Sequence, residues 1–187
     1  MRERRSTRKA ETFAGQLLLA HPGLRDANFR RTVILLSVHN ADGAMGVVLN
    51  RPLDRQLGEL NAEFALGPLA GVPVYCGGPV EPEQLIIVSW QWIEPENAFQ
   101  LHFGIEPEKA AELIGSPGVT LRAFLGYSGW SKGQLENELK HATWLVTVVA
   151  GTELVRLDTV PLWRSILVRV DPELKLLAEE PEDPTVN

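Results

Sequence analysis

The sequence predicts a mixed α+β domain whose sheets are largely antiparallel and flanked by helices. Three observations carry that prediction. Five short runs rich in Leu, Ile and Val, each bounded by Gly, Pro, Asn or Asp, read as strands: Gly15 to Ala20, Thr32 to Val38, Ala44 to Leu49, Gln84 to Trp90 and Val119 to Gly126. Between the second and third lies His-Asn-Ala-Asp-Gly at 39–43, whose Asn40, Asp42 and Gly43 tolerate the left-handed backbone of a tight reversal. The order of strand and helix signals lacks the steady alternation that a doubly wound parallel sheet requires.

Taken in order, the first run is followed by a polar loop, His21 to Phe29, in which Asp26 and Asn28 are suited to capping their own turns. The second and third runs then form an antiparallel hairpin. Asn50 ends the third strand, and Pro52 leads into a helical spacing of Leu53, Leu57 and Leu60. A short apolar run at Val74 to Cys76 meets Gly77-Gly78-Pro79, a pair of glycines that suits a sharp bend. A second helix follows Pro107, with Ala110, Leu113 and Ile114 on one face, and a third places Leu135, Leu139 and Ala142 together. From Thr152 to about Val170 the apolar spacing suits helices broken near Pro161, although Ile166 to Val170 could equally be a strand; helices are the favoured reading.

The chain of 187 residues has room for one core and needs no covalent staple. The expected layout is a solvated basic arm at 1–12, one domain at 13–178 and a solvated acidic tail at 179–187. Phe13 to Ala20 is too short, and with Gln16 too polar, for export or for crossing a bilayer. Cys76 is the lone cysteine, and no paired Cys or His spacing suits zinc, so the reading is cytoplasmic, with no metal and no cofactor. The formal net charge is -6, and the Lys and Arg residues outside the arm form no cluster. That is the wrong sign for a protein that neutralises phosphates, and direct nucleic-acid binding is not expected.

The most informative stretch is Gly126 to Leu139, read as a loop joining a strand to a helix. Ser131 and Gln134 fit a capping box, in which the serine oxygen accepts from the N3 amide and the glutamine returns to the N-cap amide. Glu136 and Lys140 add an i,i+4 pair. The same loop has a second reading, in which Gly126, Gly129 and Gly133 let the backbone approach an anion, with Trp130 and Gln134 beside it. It is neither a P-loop nor a nucleophile elbow, since Trp130 occupies the position where the elbow needs glycine. The structural turn is the favoured reading. The same choice attends the Gly77 and Gly78 bend, Asn50 and Arg51 (an anion anchor or an ion pair), and His21 with Asp26 (acid-base groups or turn formers).

Together, G-Q-L-L-L-A-H-P-G-L-R-D-A-N-F at 15–29, G-A-M-G-V-V-L-N-R-P at 43–52, G-G-P-V at 77–80 and G-Y-S-G-W-S-K-G-Q-L-E-N-E-L at 126–139 resemble the YqgE/AlgH family. Trp144 and Trp163 also fall where that family carries tryptophan, while Ser131 stands where many members have glycine. The resemblance implies a bacterial cytoplasmic protein with an α/β fold of mixed sheets, labelled a transcriptional regulator, without established catalytic residues or cofactor. The residues show no helix-turn-helix and no basic face, so any regulation is expected to be indirect. Two functions compete. The favoured one is a non-catalytic binding or regulatory module for a protein partner or a small anionic ligand. The alternative is a hydrolase or transferase acting on a small anionic substrate, with His21 or Asp26 and Arg51 meeting the Gly126 to Gln134 turn. Whether those loops converge separates the two.

Overall fold

A computed structural model describes residues 12–94, 96–151, 153–156 and 161–179. The predicted arm and tail fall almost wholly outside the described residues. At their margins, Thr12 donates its hydroxyl to the His39 carbonyl at 3.0 Å, and Glu179 pairs with Arg164 at 2.6 Å.

The strands are β1 (Leu17–Ala20), β2 (Val33–Asn40), β3 (Gly43–Val48), β4 (Pro52–Gln56), β5 (Pro73–Cys76), β6 (Val80–Ile93), β7 (Ala98–Phe103), β8 (Val119–Ser131) and β9 (Trp144–Thr147). The helices are α1 (Leu57–Leu60), α2 (Pro107–Leu113), α3 (Gln134–Lys140), α4 (Leu162–Val170) and α5 (Lys175–Glu179), with short 3-10 turns between some of them. All nine strands belong to one hydrogen-bonded sheet system that runs β4-β5-β8-β3-β2-β1-β9, with the β6–β7 hairpin attached to β8. The α+β expectation holds. So does the hairpin, whose β2 and β3 pair antiparallel from Ile34 opposite Val48 to Asn40 opposite Gly43. The Asn40 side chain accepts from the Asp42 amide at 2.8 Å, which closes the turn.

The long strand β8 organises the molecule. Its first half lies between β5, in parallel, and β6, antiparallel; its second half pairs with β3 through Gly46 opposite Ser128. The chain therefore passes from one curved sheet into the next without a break. The change falls at Gly126, where φ is +70° and the pairing with β6 jumps from Leu85 to Val80. A glycine at a strand bend supplies a backbone angle that side chains disfavour.

Three apolar clusters fill the layers. Leu17, Leu19, Leu35, Val88, Trp90 and Phe124 meet in the central layer under α4. Leu18, Ile34, Leu36, Trp130 and Trp144 lie on the opposite face of β1–β2–β3, against α3. Leu57, Val74, Ile87, Ala110 and Ala123 form the third, under α1 and α2. Both faces of β1 are covered, and all four of its side chains are fully buried. That accounts for a run of Leu-Leu-Leu-Ala with no alternation, since each such leucine gains about 1.5–3 kcal/mol on burial. Helix α4 buries Leu162, Trp163, Ile166 and Leu167, and the Trp163 indole donates to the Ala20 carbonyl at 2.8 Å. Helix α4 starts directly after Pro161, its N-cap, while residues 157–160 before it lie outside the described residues.

Four expectations are corrected. Leu53 is in β4, an exposed edge strand, and only Leu57–Leu60 is helical, because Leu57 alone of the three leucines reaches a buried position. Gly126 to Ser131 is strand, not loop: hydrogen bonding to β3 extends β8 through the glycines. Helix α3 starts three residues beyond Ser131, with Gly133 as its N-cap at φ +74°, so the serine caps nothing; Gln134 still accepts from the Ser131 amide at 3.0 Å. Ala142 lies past the helix with φ +53°. Strands β4, β7 and β9 have no counterpart among the predicted elements.

Candidate functional site

The loop between β1 and β2 is folded by its own polar side chains. His21 Nδ1 accepts from the Gly23 amide at 3.1 Å, and Asp26 accepts from the Asn28 amide at 2.9 Å. From the end of β3, Asn50 grips the same loop in both directions. Its Oδ1 accepts from the Val33 amide at 2.9 Å, and its Nδ2 donates to the Arg31 carbonyl at 2.8 Å. Arg51 donates to the Arg30 carbonyl at 2.8 Å. Asn50 and Arg51 thus clip the loop to the sheet. No hydrogen bond joins His21 or Asp26 to Arg51 among the described residues.

Gly77, Gly78 and Gly126 do come together, and they do so against one another's backbone. The Gly77 amide donates to the Leu125 carbonyl at 2.8 Å, and the Gly77 carbonyl accepts from the Val48 amide at 2.9 Å and from the Ser128 hydroxyl at 3.3 Å. A methyl group on Gly77 would run into the Gly126 carbonyl, and one on Gly126 would lie 2.5 Å from the Gly78 carbonyl. Bare backbone is what allows β5, β6 and β8 to cross here.

Trp130 and Gln134 belong to a second group, built around a residue that the sequence reading passed over. The Glu138 carboxylate accepts from the Trp130 indole at 2.9 Å, from the Trp144 indole at 2.7 Å and from the Gln134 amide at 2.9 Å. The two indoles stand edge to face 5.9 Å apart, and Phe29 meets Trp144 in the same manner at 5.7 Å. Through Phe29, and through the His21 amide bonded to the Thr143 carbonyl at 2.9 Å, the 21–31 loop reaches this group as well. The available signal was Gln134 and Glu138 at i,i+4, with Glu138 bordering the Leu135 and Leu139 stripe. Gly129 and Gly133 flank the group. Gly129 has no left-handed backbone, and Gly133 sits in open space.

Beside α3, His39 is another residue the sequence did not single out. Its Nδ1 accepts from the Phe13 amide at 3.1 Å, which leaves the Nε2 proton to be donated to Glu136 at 3.0 Å. The Glu136 carboxyl is held below its ordinary value of 4.5, chiefly by its backbone hydrogen bond and then by His39 and Lys140, against the upward push of burial. Lys140 therefore contributes through space.

A groove of about 650 Å3 lies beside β4, lined by Asn50, Asp54, Arg55, Glu59, Tyr75 and Leu162 among others. Arg55 donates to the Glu59 carbonyl at 3.0 Å, and the Glu59 carboxylate accepts from the Gln56 amide at 2.6 Å. A lining that includes the Arg55 guanidinium and the Asp54 and Glu59 carboxylates suits a small polar ligand carrying both signs of charge. Among the described residues no cluster of three or more His, Cys, Asp or Glu is arranged for a metal ion, and no helix is long and apolar enough to cross a membrane.

The glycine crossing and the α3 group both lie in stretches that comparison with known proteins identifies. A family model described as AlgH-like (DUF179) matches residues 17–175. The chain belongs to the AlgH-like family. A UPF0301 protein of Streptomyces coelicolor, SCO2948, is 34% identical over 193 aligned positions, covering 96% of this chain and 97% of that protein. A UPF0301 protein of Magnetococcus marinus is 36% identical over 176 positions, covering 89% and 94%. The solution structure of the AlgH protein from Pseudomonas aeruginosa superposes with a TM-score of 0.64 at 26% identity, over 97% of this chain and 98% of that one. The crystal structure of DIP2367 from Corynebacterium diphtheriae reaches a TM-score of 0.70 at 23% identity, over 91% and 93%, and shares the fold. The family expected from the four sequence motifs is therefore the family found.

Proposed function

We propose that this AlgH-like protein is a non-catalytic binding module, located in the cytoplasm, that holds a protein partner or a small anionic ligand and affects transcription, if at all, through that partner. The observation that supports this reading is the use to which the candidate chemical groups are put. His21, Asp26, Asn50 and Arg51 each satisfy backbone groups of the 21–33 segment, and the Glu138 carboxylate is filled by three donors. Groups committed to holding a loop are less available as proton shuttles, since His21 Nδ1 and Asp26 Oδ1 already accept from backbone amides.

The groove beside β4 favours a second reading, an enzyme acting on a small anionic substrate, because Asp54, Arg55, Glu59 and Tyr75 line it together. One experiment separates the two. Phosphorylated and carboxylated metabolites are screened by thermal shift, and any stabilising compound is then incubated with stoichiometric protein and followed by NMR. A binding module raises Tm, loses the response in Arg55→Ala, and leaves the compound intact. Conversion of the compound would establish the enzyme reading instead.

A further inference from the structure

The sheet system ends in strands that are defended very differently. At one edge, β4 carries Pro52, a register shift between Pro52 and Arg55, a left-handed Asp54 (φ +52°) and two charged side chains, all of which discourage pairing with another strand. At the opposite edge of the β8–β3–β2–β1 path, β9 has only four residues, and the Arg169 guanidinium reaches Thr147 Oγ1 and the Val148 carbonyl, each at 3.5 Å. Strand β7 has none of these defences. It pairs with β6 in unbroken register from Val88 opposite Phe103 to Ile93 opposite Ala98, and its six residues include no proline and no Asp, Glu, Lys or Arg. Its other side meets no strand among the described residues, so alternate backbone N–H and C=O groups face outward without a sheet partner.

The side chains and flanks say what fits there. Phe99, Leu101 and Phe103 lie half-buried on the face that packs against the central core, while Gln100 and His102 are exposed on the other. At one end of the strand stand Glu94 and Glu96, at the other Glu106 and Glu108, all exposed. The nearby Lys109 is paired with Glu112 at 2.6 Å. An antiparallel second copy of β7 would bring acidic end against acidic end.

We infer that β7 is the docking edge of this module, and that its partner is an extended protein segment with alternating apolar residues and Lys or Arg at both ends, added to the sheet as a further strand. The inference rests on the proposed binding role and specifies its partner. Backbone bonding to β7 supplies the affinity, the half-buried aromatic row takes the apolar side chains, and the glutamates select the basic ends.

The test uses the full chain, labelled with 15N, and short synthetic peptides of alternating threonine and valine closed at both ends by two lysines or by two glutamates. The lysine peptide is expected to shift amide resonances of 98–103 and to bind at least about tenfold more weakly at 500 mM than at 50 mM salt. The glutamate peptide is expected not to bind. Of two lysine peptides N-methylated on alternating sets of amides, only one should retain binding, because only one set faces β7. The double variant Glu94→Lys, Glu106→Lys should shift the preference toward the glutamate peptide. Equal binding of the two peptides, shifts located elsewhere, or a dimer formed through 98–103 without peptide would each overturn the inference. A chain that ignores both peptides while still passing the thermal-shift test loses this docking edge and keeps its binding role.

Discussion

At Glu138 one carboxylate accepts from two indoles and an amide, and both indoles belong to tryptophans no more than 6% exposed. Removing that acceptor strands two buried donors, so Glu138→Ala should cost about 2–4 kcal/mol. Urea unfolding followed by tryptophan fluorescence would measure it, and a cost below 1 kcal/mol would mean that water replaces the carboxylate. At Gly126 the problem is steric. An alanine there needs φ near +70° and places its methyl 2.5 Å from the Gly78 carbonyl and 2.9 Å from that of Val80. Gly126→Ala should therefore lose about 2 kcal/mol or more, roughly 4–8 °C in Tm for a chain of this size. A calorimetric scan matching wild type would show that β8 turns between the sheets by another means.

Elements decide what neighbouring residues tolerate. Gly129 lies in the regular part of β8, where a methyl would meet the Tyr127 ring at 3.4 Å and a Val80 methyl at 3.9 Å, both ordinary contacts. Gly129→Ala is accordingly expected to change stability by less than about 0.5 kcal/mol, in contrast to Gly126 only three residues away. The sequence placed Gly129 in a loop, whereas pairing with Met45 makes it part of β8. Ser131→Ala follows the same logic. The hydroxyl bonds only to Gln134 Oε1 at 3.1 Å on an exposed surface, so its loss should cost about 0.5 kcal/mol or less, at the bottom of the range for a true N-cap. Thermal melts of the two variants beside Gly126→Ala check both statements; a large loss in either would restore the loop and cap.

For the whole molecule, the net charge of -6 sets an expectation about partners. Protein lacking residues 1–12 should show no sequence-selective DNA binding in mobility-shift titrations at two salt concentrations. Weak retention by the full chain should disappear at the higher salt, as expected for phosphate contacts made by a basic segment. Tight, selective binding by the shortened protein would contradict the proposed indirect role.

The sequence by itself determined the elements whose causes are local. The reversal at Asn40 to Gly43 closes through the Asn40 side chain, α4 begins directly after Pro161, and Leu135 with Leu139 mark α3 whatever surrounds them. The four motifs likewise sufficed for the family. Tertiary structure decided the features whose causes lie far along the chain. Leu53 has helical spacing to Leu57, yet pairing with β5 makes it strand. Phe99, Leu101 and Phe103 alternate as a strand should, but only the absence of a neighbouring strand beyond β7 among the described residues gives that alternation an open edge. Gly77 and Gly126 both look like bends in isolation; what makes Gly77 indispensable is the Gly126 carbonyl and what makes Gly126 so is the Gly78 carbonyl, and no local propensity records contacts across nearly fifty positions of sequence.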